Sequence, residues 1–477
     1  MSYQLVWLRT DLRVADNPAL YKAMSQGPTL ALYLVTPEQW KVHQDSPNKL
    51  EFWRLSLIRL AEQLQQLKVP LLVRCVPRWV DVAEHLIQLC QQYSVQTLHF
   101  NDEYGVNEQR RDQDVQQRLS ALGISCHSYL DQVFFAPGTL LTQTGRAIQV
   151  YSAFRNQCHA RLLHHLPKPL PRPKAQQPVG IPPDQIPERF SEVEAISLSD
   201  WPMGESAAHS LLELFVSEHL AQYAKARDFP AQTGTSRLSP YLTAGVLSVR
   251  QCVQAALSLT HGHFDTQHSG FITWVDELLW REFYRHILHA YPRLSRGYAF
   301  KPETEALLWR QAPEDLAAWQ QGRTGFPIVD AAMRCLKATG WLHNRLRMIV
   351  AMFLSKNLLI DWRVGEQWFM QHLLDGDLAQ NNGGWQWSAS TGTDAVPYFR
   401  LFNPITQSEK FDPQGDFIRR WVPELAHVSA QKIHNPATLG GLFGISGYPR
   451  PILDLAQSRK RALQAFKSLS SHQTEPS

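Results

Sequence analysis

QLVWLRTDLRVADNPALYKAMSQGPTLALYLV, residues 4–35, opens and closes on short apolar runs. QLVWL (4–8) and TLALYLV (29–35) read as strands, and residues 17–26 between them show helical spacing. The alternation then continues. PLLVRCV (70–76), TLHFND (97–102) and SCHSYL (125–130) read as further strands, and 48–67, 79–92 and 105–122 as further helices. Leu50, Trp53, Leu57, Leu60, Leu64 and Leu67 form one apolar stripe on the 48–67 helix. Strand and helix in strict alternation predict a parallel sheet covered on both faces, a Rossmann-like domain. No G-x-G-x-x-G follows the first strand, so the dinucleotide fingerprint is missing.

The character of the chain changes at residues 164–203, where nine prolines mark a long surface connector. From about residue 205 the strand signals vanish. LLELFVSEHL, LSVRQCVQAAL, FITWVDELLWREFYRHILHAY, IVDAAMRCLKATG and LHNRLRMIVAMFLSKNLL all carry helical spacing. The expected architecture is therefore α/β plus all-α: an α/β domain over 1–135, a connector over 136–204, and an all-helical domain over 205–477. A polar tail is expected after about 468.

Composition sets bounds. The 477 residues are 44% hydrophobic and 19% charged, which is globular and not disordered. A net charge of +4 is compatible with a nucleic-acid partner. The six cysteines are scattered without a C-x-x-C pair and read as reduced thiols of a cytoplasmic protein. The N-terminus has charges inside its first apolar run, unlike a signal peptide, and no apolar run reaches membrane-spanning length. Of the 15 tryptophans, 11 lie after residue 200, more than a bland core needs.

Several segments carry candidate chemistry. In 271–291, Trp274, Glu277, Arg281 and Tyr284 share one helix face, bordered by Trp280. Indole, carboxylate, guanidinium and phenol together are no core stripe, although an exposed face with a local Glu277–Arg281 pair would look alike. In GWLHNRLRMIV (340–350), Asn344 and Met348 share a face, and Arg345 and Arg347 could reach phosphates; a solvated helix start reads equally well. TSRLS (235–239) offers hydroxyls, an arginine and backbone N–H groups suited to phosphate, a composition also common in turns. DGDLAQNNGGWQW (375–387) gathers acids, amides and indoles, and its glycines work against an ordinary helix. The histidines lack metal-ligand spacing, so no metal is expected. Neither a G-x-S-x-G elbow nor a P-loop is present.

Six stretches carry a resemblance: WLRTDLRVADNPAL, TSRLS, WREFYRH, TGWLHNRLRM, LLIDWR and DGDLAQNNGGWQWSASTGTDAVPYFRLFNP. In this order, from residue 3 to roughly 455, the chain resembles the photolyase/cryptochrome family. It is most similar to class I photolyases for cyclobutane pyrimidine dimers of the folate-antenna type. The resemblance implies an N-terminal antenna domain, a helical FAD domain, and light-driven repair of dimers in DNA by an electron from excited, fully reduced FAD.

Site residues follow from it. Tyr223, Thr235, Ser236, Arg237, Leu238, Ser239, Trp274, Glu277, Arg281, Asn344, Asp375, Gly376, Asp377 and Asn381 would surround FAD, with Asn381 at flavin N5. Trp385, Trp362 and Trp309 would carry electrons between flavin and surface. Glu277, Trp280, Asn344, Met348 and Trp387 would hold the flipped lesion, and Arg227, Arg345 and Gln407 would contact DNA. His43, Asn107 and Glu108 match the site of a 5,10-methenyltetrahydrofolate antenna, but Ser295-Arg296 replaces the family's Cys-Lys. The implied protein is a monomer without an obligate protein partner. Two alternatives are a cryptochrome-type photoreceptor and a (6-4) photoproduct photolyase. Asn381 and the short tail argue against the first. Met348, where relatives of the second kind carry histidine, argues against the second.

Overall fold

The structure is a computed structural model that describes residues 2–435 and 447–471. Five strands form one sheet: β1 Tyr3–Leu8, β2 Thr29–Val35, β3 Leu71–Cys75, β4 Val95–Asn101 and β5 Ser125–Tyr129. All pair in parallel, in the order β3-β2-β1-β4-β5. Helices Pro18–Gln26, Pro47–Gln66, Val82–Gln92 and Val106–Ala121 alternate with them. The stripe from Leu50 to Leu67 is buried throughout, which is why apolar spacing found this helix. Asn17 and Ser46 cap two of the helices by accepting from the backbone N–H groups of Leu20 and Asn48. A short helix, Pro37–Val42, was not evident from the apolar pattern, because it buries only Trp40.

Residues 165–204 form no helix or strand. The connector is nevertheless anchored along the sheet. Gln176 accepts from Thr29 N (2.8 Å) and donates to Thr29 O (3.0 Å). Asp184 accepts from Val73 N on β3 (2.8 Å) and pairs with Arg74. The edge strand is thereby covered rather than left open to other chains.

The loop after β1 fills the ground where a dinucleotide fingerprint would lie with buried charge. Asp11 accepts from Arg9 N (2.6 Å) and from Asn101 Nδ2 (2.6 Å). Arg9 pairs with Asp112 at 2.7 Å. Arg13 pairs with Asp131, and Arg250 reaches both Asp131 (2.7 Å) and Asp16 (2.9 Å). Ser248 also donates to Asp16, and all of these carboxylates and guanidiniums are buried.

The chain divides into two compact units. The first comprises 1–221, 236–292 and 374–377, and the second 222–235, 293–373 and 378–477. The first adds helices Tyr151–His164, Glu205–Glu218, Val249–Ala256 and Ser269–Ala290 to the sheet. The second is helical throughout its described residues, around a core that includes Trp319, Trp362 and Trp385. The polar tail expected after about 468 falls, beyond 471, outside the described residues.

One local expectation is corrected. Residues 378–389 form a regular helix, Leu378–Ala389, with both glycines inside it. Buried Ala379, Asn381, Asn382, Trp385 and Gln386 supply tertiary contacts that outweigh a propensity deficit of about 1 kcal/mol per glycine. A second local feature had no sequence signal. The helix Asn344–Met352 continues into a π-helical turn, Phe353–Asn357, which buries Lys356. Its Nζ donates to Arg400 O at 3.0 Å, and burial lowers its pKa to about 7.

Candidate functional site

The expected residues divide between the units. In the first unit the Ser269–Ala290 helix carries most of them. Trp274 is buried against Phe215, with ring centroids 5.1 Å apart. Glu277 and Trp280 remain partly exposed. Arg281 does not simply pair with Glu277. Its guanidinium donates to the carbonyls of Gln132 (2.7 Å) and Leu242 (3.1 Å). Burial, with Arg285 alongside, lowers its pKa to about 9.

Arg285 belongs to this group as well. It is 4% exposed, donates through Nε to Gln132 Oε1 (3.0 Å) and pairs through Nη2 with Asp377 at 2.7 Å. Its Nη1 is buried without a hydrogen-bond partner. The signal was present: position 285 continues the 277–281 spacing by one turn. A buried donor with no partner, beside a second cramped guanidinium, calls for an acceptor-rich or anionic ligand. Asp375 and Gly376 are buried just before Asp377. Ser236, Arg237, Leu238 and Ser239 lead into the short helix Ser239–Thr243. Arg237 has φ +52°, uncommon for a non-glycine, and lies 4.5 Å over the Trp201 ring.

Also in this unit, His43 and Asn107 come together: Asn107 Nδ2 donates to His43 Nε2 at 3.0 Å, as does Gln39 Nε2 at 2.8 Å. Burial lowers the His43 pKa, which favours the neutral imidazole. Burial and nearby Glu103 raise Glu108 to about 7. Its carboxyl folds over Gly105, where a Cβ would meet Glu108 Oε2 at 2.0 Å.

In the second unit, Asn381 lies on the Leu378–Ala389 helix and is 9% exposed. Its Nδ2 donates to Glu366 O at 2.8 Å, and Asn382 Nδ2 donates to Glu366 Oε1 at 3.2 Å. Burial raises Glu366 to about 7. Gly384, three residues on from Asn381, has open space where a Cβ would stand, which leaves bare ground beside the amide. Glu366 was not anticipated, since it faces this amide pair from another helix, Trp362–Met370.

Trp385 and Trp362 are buried in the core, and partly buried Trp309 packs against it. The Trp385 ring meets Phe369 at 5.0 Å and Trp319 at 6.1 Å, both edge-on. Trp362 Nε1 is buried with no hydrogen-bond partner. Arg345 pairs with Asp228 at 2.7 Å and lies 4.4 Å over Phe411, with Nη1 3.8 Å from Met348 Sδ. Asn344 is exposed at the start of its helix. Arg227 sits 5.9 Å over the buried Tyr223 ring. Thr235, Trp387 and Gln407 are partly exposed, and Gln407 Oε1 is buried without a partner. Arg296 is exposed at the end of a 3-10 turn, Leu294–Arg296.

Among the described residues there is no group of histidine, cysteine and acidic side chains able to hold a metal, and no helix long and apolar enough to cross a membrane. The six cysteines are free thiols.

Comparison with known proteins agrees with this arrangement. Residues 4–174 match the family model described as DNA photolyase, and residues 274–468 match the FAD binding domain of DNA photolyase. The deoxyribodipyrimidine photo-lyase of Escherichia coli (strain K12) is 43% identical over 98% of this chain and 99% of its own. Among solved structures, a bacterial class III photolyase from Agrobacterium tumefaciens superposes with a TM-score of 0.88 at 33% identity, covering 99% of this chain and 98% of that one. An archaeal photolyase from Sulfolobus tokodaii, solved with two FAD molecules, gives 0.81 at 28% identity, covering 98% and 99%. With its sheet, its helices and its unsatisfied buried donors, the chain is a member of the DNA photolyase family.

Proposed function

We propose that the chain repairs cyclobutane pyrimidine dimers in DNA, driven by light absorbed through bound FAD. The observation that carries this reading is the match, along 98% of the chain, to relatives named deoxyribodipyrimidine photo-lyase. Fully reduced FAD, when bound and excited, supplies the electron that opens the cyclobutane ring and takes it back afterwards.

The chain's own residues bind, orient and stabilise. Arg281, Arg285, Asp375 and Asp377 hold the cofactor's polar groups, with Tyr223, Trp274 and the segment from Thr235 to Ser239. Asn381 commits its Nδ2 to the Glu366 carbonyl, so toward a flavin it offers an oxygen, which suits a protonated N5. Glu277, Trp280, Asn344, Met348 and Trp387 receive the dimer once it has left the stack. Indole faces replace the stacking lost on flipping. Glu277, with its carboxyl protonated or bridged by a water, donates toward a pyrimidine carbonyl where negative charge develops. Arg227, Arg345 and Gln407 contact the DNA strand. Trp385, Trp362 and Trp309 recharge oxidised flavin. Trp362, with no acceptor for its indole proton, passes an oxidising equivalent onward, and partly exposed Trp309 releases it.

The test uses FAD-loaded protein, chemically reduced without oxygen, and an oligonucleotide with one thymine dimer. Dimers should disappear in near-ultraviolet or blue light and persist in the dark. No light-dependent loss would overturn the reading. The same protein should leave a (6-4) photoproduct intact.

The antenna is read as 5,10-methenyltetrahydrofolate. Neutral His43, held against Asn107, and the half-buried Glu108 carboxyl form a polar set suited to a pterin's donors and acceptors. Arg296 replaces the point charge of a lysine near the polyglutamate tail. Glu108→Ala should remove a folate absorption band while leaving FAD and flavin-driven repair intact. A flavin-type second band, which the two FAD molecules of the Sulfolobus photolyase make a real alternative, would reject folate.

A further inference from the structure

Trp280 does not stand alone in its unit. Its ring lies 3.5 Å from that of Tyr151, centroid to centroid, at an interplanar angle of 12°. Tyr151 opens the helix Tyr151–His164 and is buried. Its hydroxyl donates to the Asp276 carbonyl oxygen at 2.6 Å. Asp276 stands four residues before Trp280, so that oxygen is also the helical acceptor for the Trp280 N–H. Phe283 meets both rings edge-on, 5.7 Å from Tyr151 at 69° and 5.8 Å from Trp280 at 80°. The Asp276 carboxylate ties the same two helices again, to His159 at 2.7 Å and Arg155 at 3.6 Å. One face of the indole is thus occupied by a phenol whose far end is pinned to the helix bearing the indole. Trp280 itself stays partly exposed.

We propose that Tyr151 is a positioning residue for lesion recognition. It backs Trp280 and fixes the plane on which the flipped dimer stacks; the proposal rests on the reading of Trp280 as a lesion-pocket residue. A partly exposed tryptophan without such backing is spread over several rotamers, and binding must then collect them into one. A stacked aromatic neighbour of this kind favours one arrangement by about 2- to 12-fold. Tyr151 makes no contact of its own with the dimer in this scheme. Its effect appears in discrimination, because affinity for undamaged DNA comes mainly from phosphate contacts.

The experiment compares Tyr151→Phe, Tyr151→Leu, Trp280→Leu and the double variant Tyr151→Leu/Trp280→Leu. Each is loaded with FAD, and Kd is measured in the dark for a duplex with one thymine dimer and for its undamaged counterpart. Tyr151→Phe keeps the ring and should keep the ratio of the two constants. Tyr151→Leu should lower that ratio by about 2- to 12-fold, with FAD content and the undamaged Kd unchanged. The double variant should discriminate no worse than Trp280→Leu, since a support without its platform has nothing to position. An unchanged ratio in Tyr151→Leu, or a loss that adds fully to that of Trp280→Leu, overturns the proposal and leaves the repair reading standing. An unchanged ratio in Trp280→Leu instead removes the pocket reading, and the proposal with it.

Discussion

Gly365→Ala is the most demanding test of the packing around Trp385. Gly365 lies inside the Trp362–Met370 helix. A Cβ there would stand 2.2 Å from Trp385 Cη2, 2.5 Å from Cζ3 and 2.6 Å from Leu354 Cδ2. All three distances are below any real Cβ contact, so something must move. The indole has little freedom to do so, being 2% exposed and flanked edge-on by Phe369 and Trp319. Leu354 is fully buried as well. Overpacking of this kind costs about 3 kcal/mol, the upper end of the usual range. Alanine's better helix propensity returns about 1 kcal/mol. The net loss of about 2 kcal/mol should lower the thermal midpoint of the helical unit by about 4–8 °C. Thermal unfolding followed by far-ultraviolet circular dichroism measures it. The control is a cycle with Trp385→Phe, whose shorter ring takes away two of the three clashing atoms and leaves Leu354 Cδ2. In that background Gly365→Ala should cost clearly less than in the parent. If Gly365→Ala melts within a degree of the parent, the two helices are not packed as closely as described and the argument fails.

Three further outcomes are expected. Trp385→Phe should retain FAD yet lose light-driven reduction of oxidised flavin by an external thiol, while chemically pre-reduced enzyme still repairs; normal photoreduction would remove Trp385 as the first relay. Glu366 has a folded pKa near 7, above its ordinary 4.5, so its contribution to stability is full below about 4.5 and is lost as pH rises through 7. Glu366→Gln should flatten that limb of the midpoint-against-pH curve, and a curve parallel to the parent's would show that this carboxyl is not the titrating group. Tyr448→Phe removes the 2.5 Å hydrogen bond to buried Asp330, which keeps its bonds from Thr324 and Gly325. It should cost about 1–2 kcal/mol in a urea titration, and an unchanged midpoint would mean the hydroxyl is solvated.

The sheet was legible because strand and helix periods differ and the first 130 residues keep each pattern clean. Leu50 to Leu67 fall on one helix face by their spacing alone. Contacts between distant segments left no such trace. Arg285 was within reach, one turn beyond Arg281, but a second arginine on a helix face reads as solvated until Asp377 is known to meet it. Glu366 and Tyr151 carry no local signal, since each acquires its role from a residue on another helix. The glycine pair of 378–389 misled in the opposite direction. Propensity argued against a helix, and the burial that overrides propensity is visible only in three dimensions.

The buried charges behind β1 bear on how freely such proteins can exchange parts. Asp16 and Asp131 share Arg250, which comes from beyond the connector, and Arg13 is the one guanidinium bonded to this pair from within the first 135 residues. Cut out at residue 135, the α/β segment would lose the Ser248 and Arg250 donors that satisfy these two carboxylates, and keep Arg13 alone. The N-terminal α/β end of the chain is therefore no portable cassette. A chimera that grafts it onto another member of the family must bring a Ser248–Arg250 pair in register, and a lineage that replaces one of these residues must replace its carboxylate partners as well.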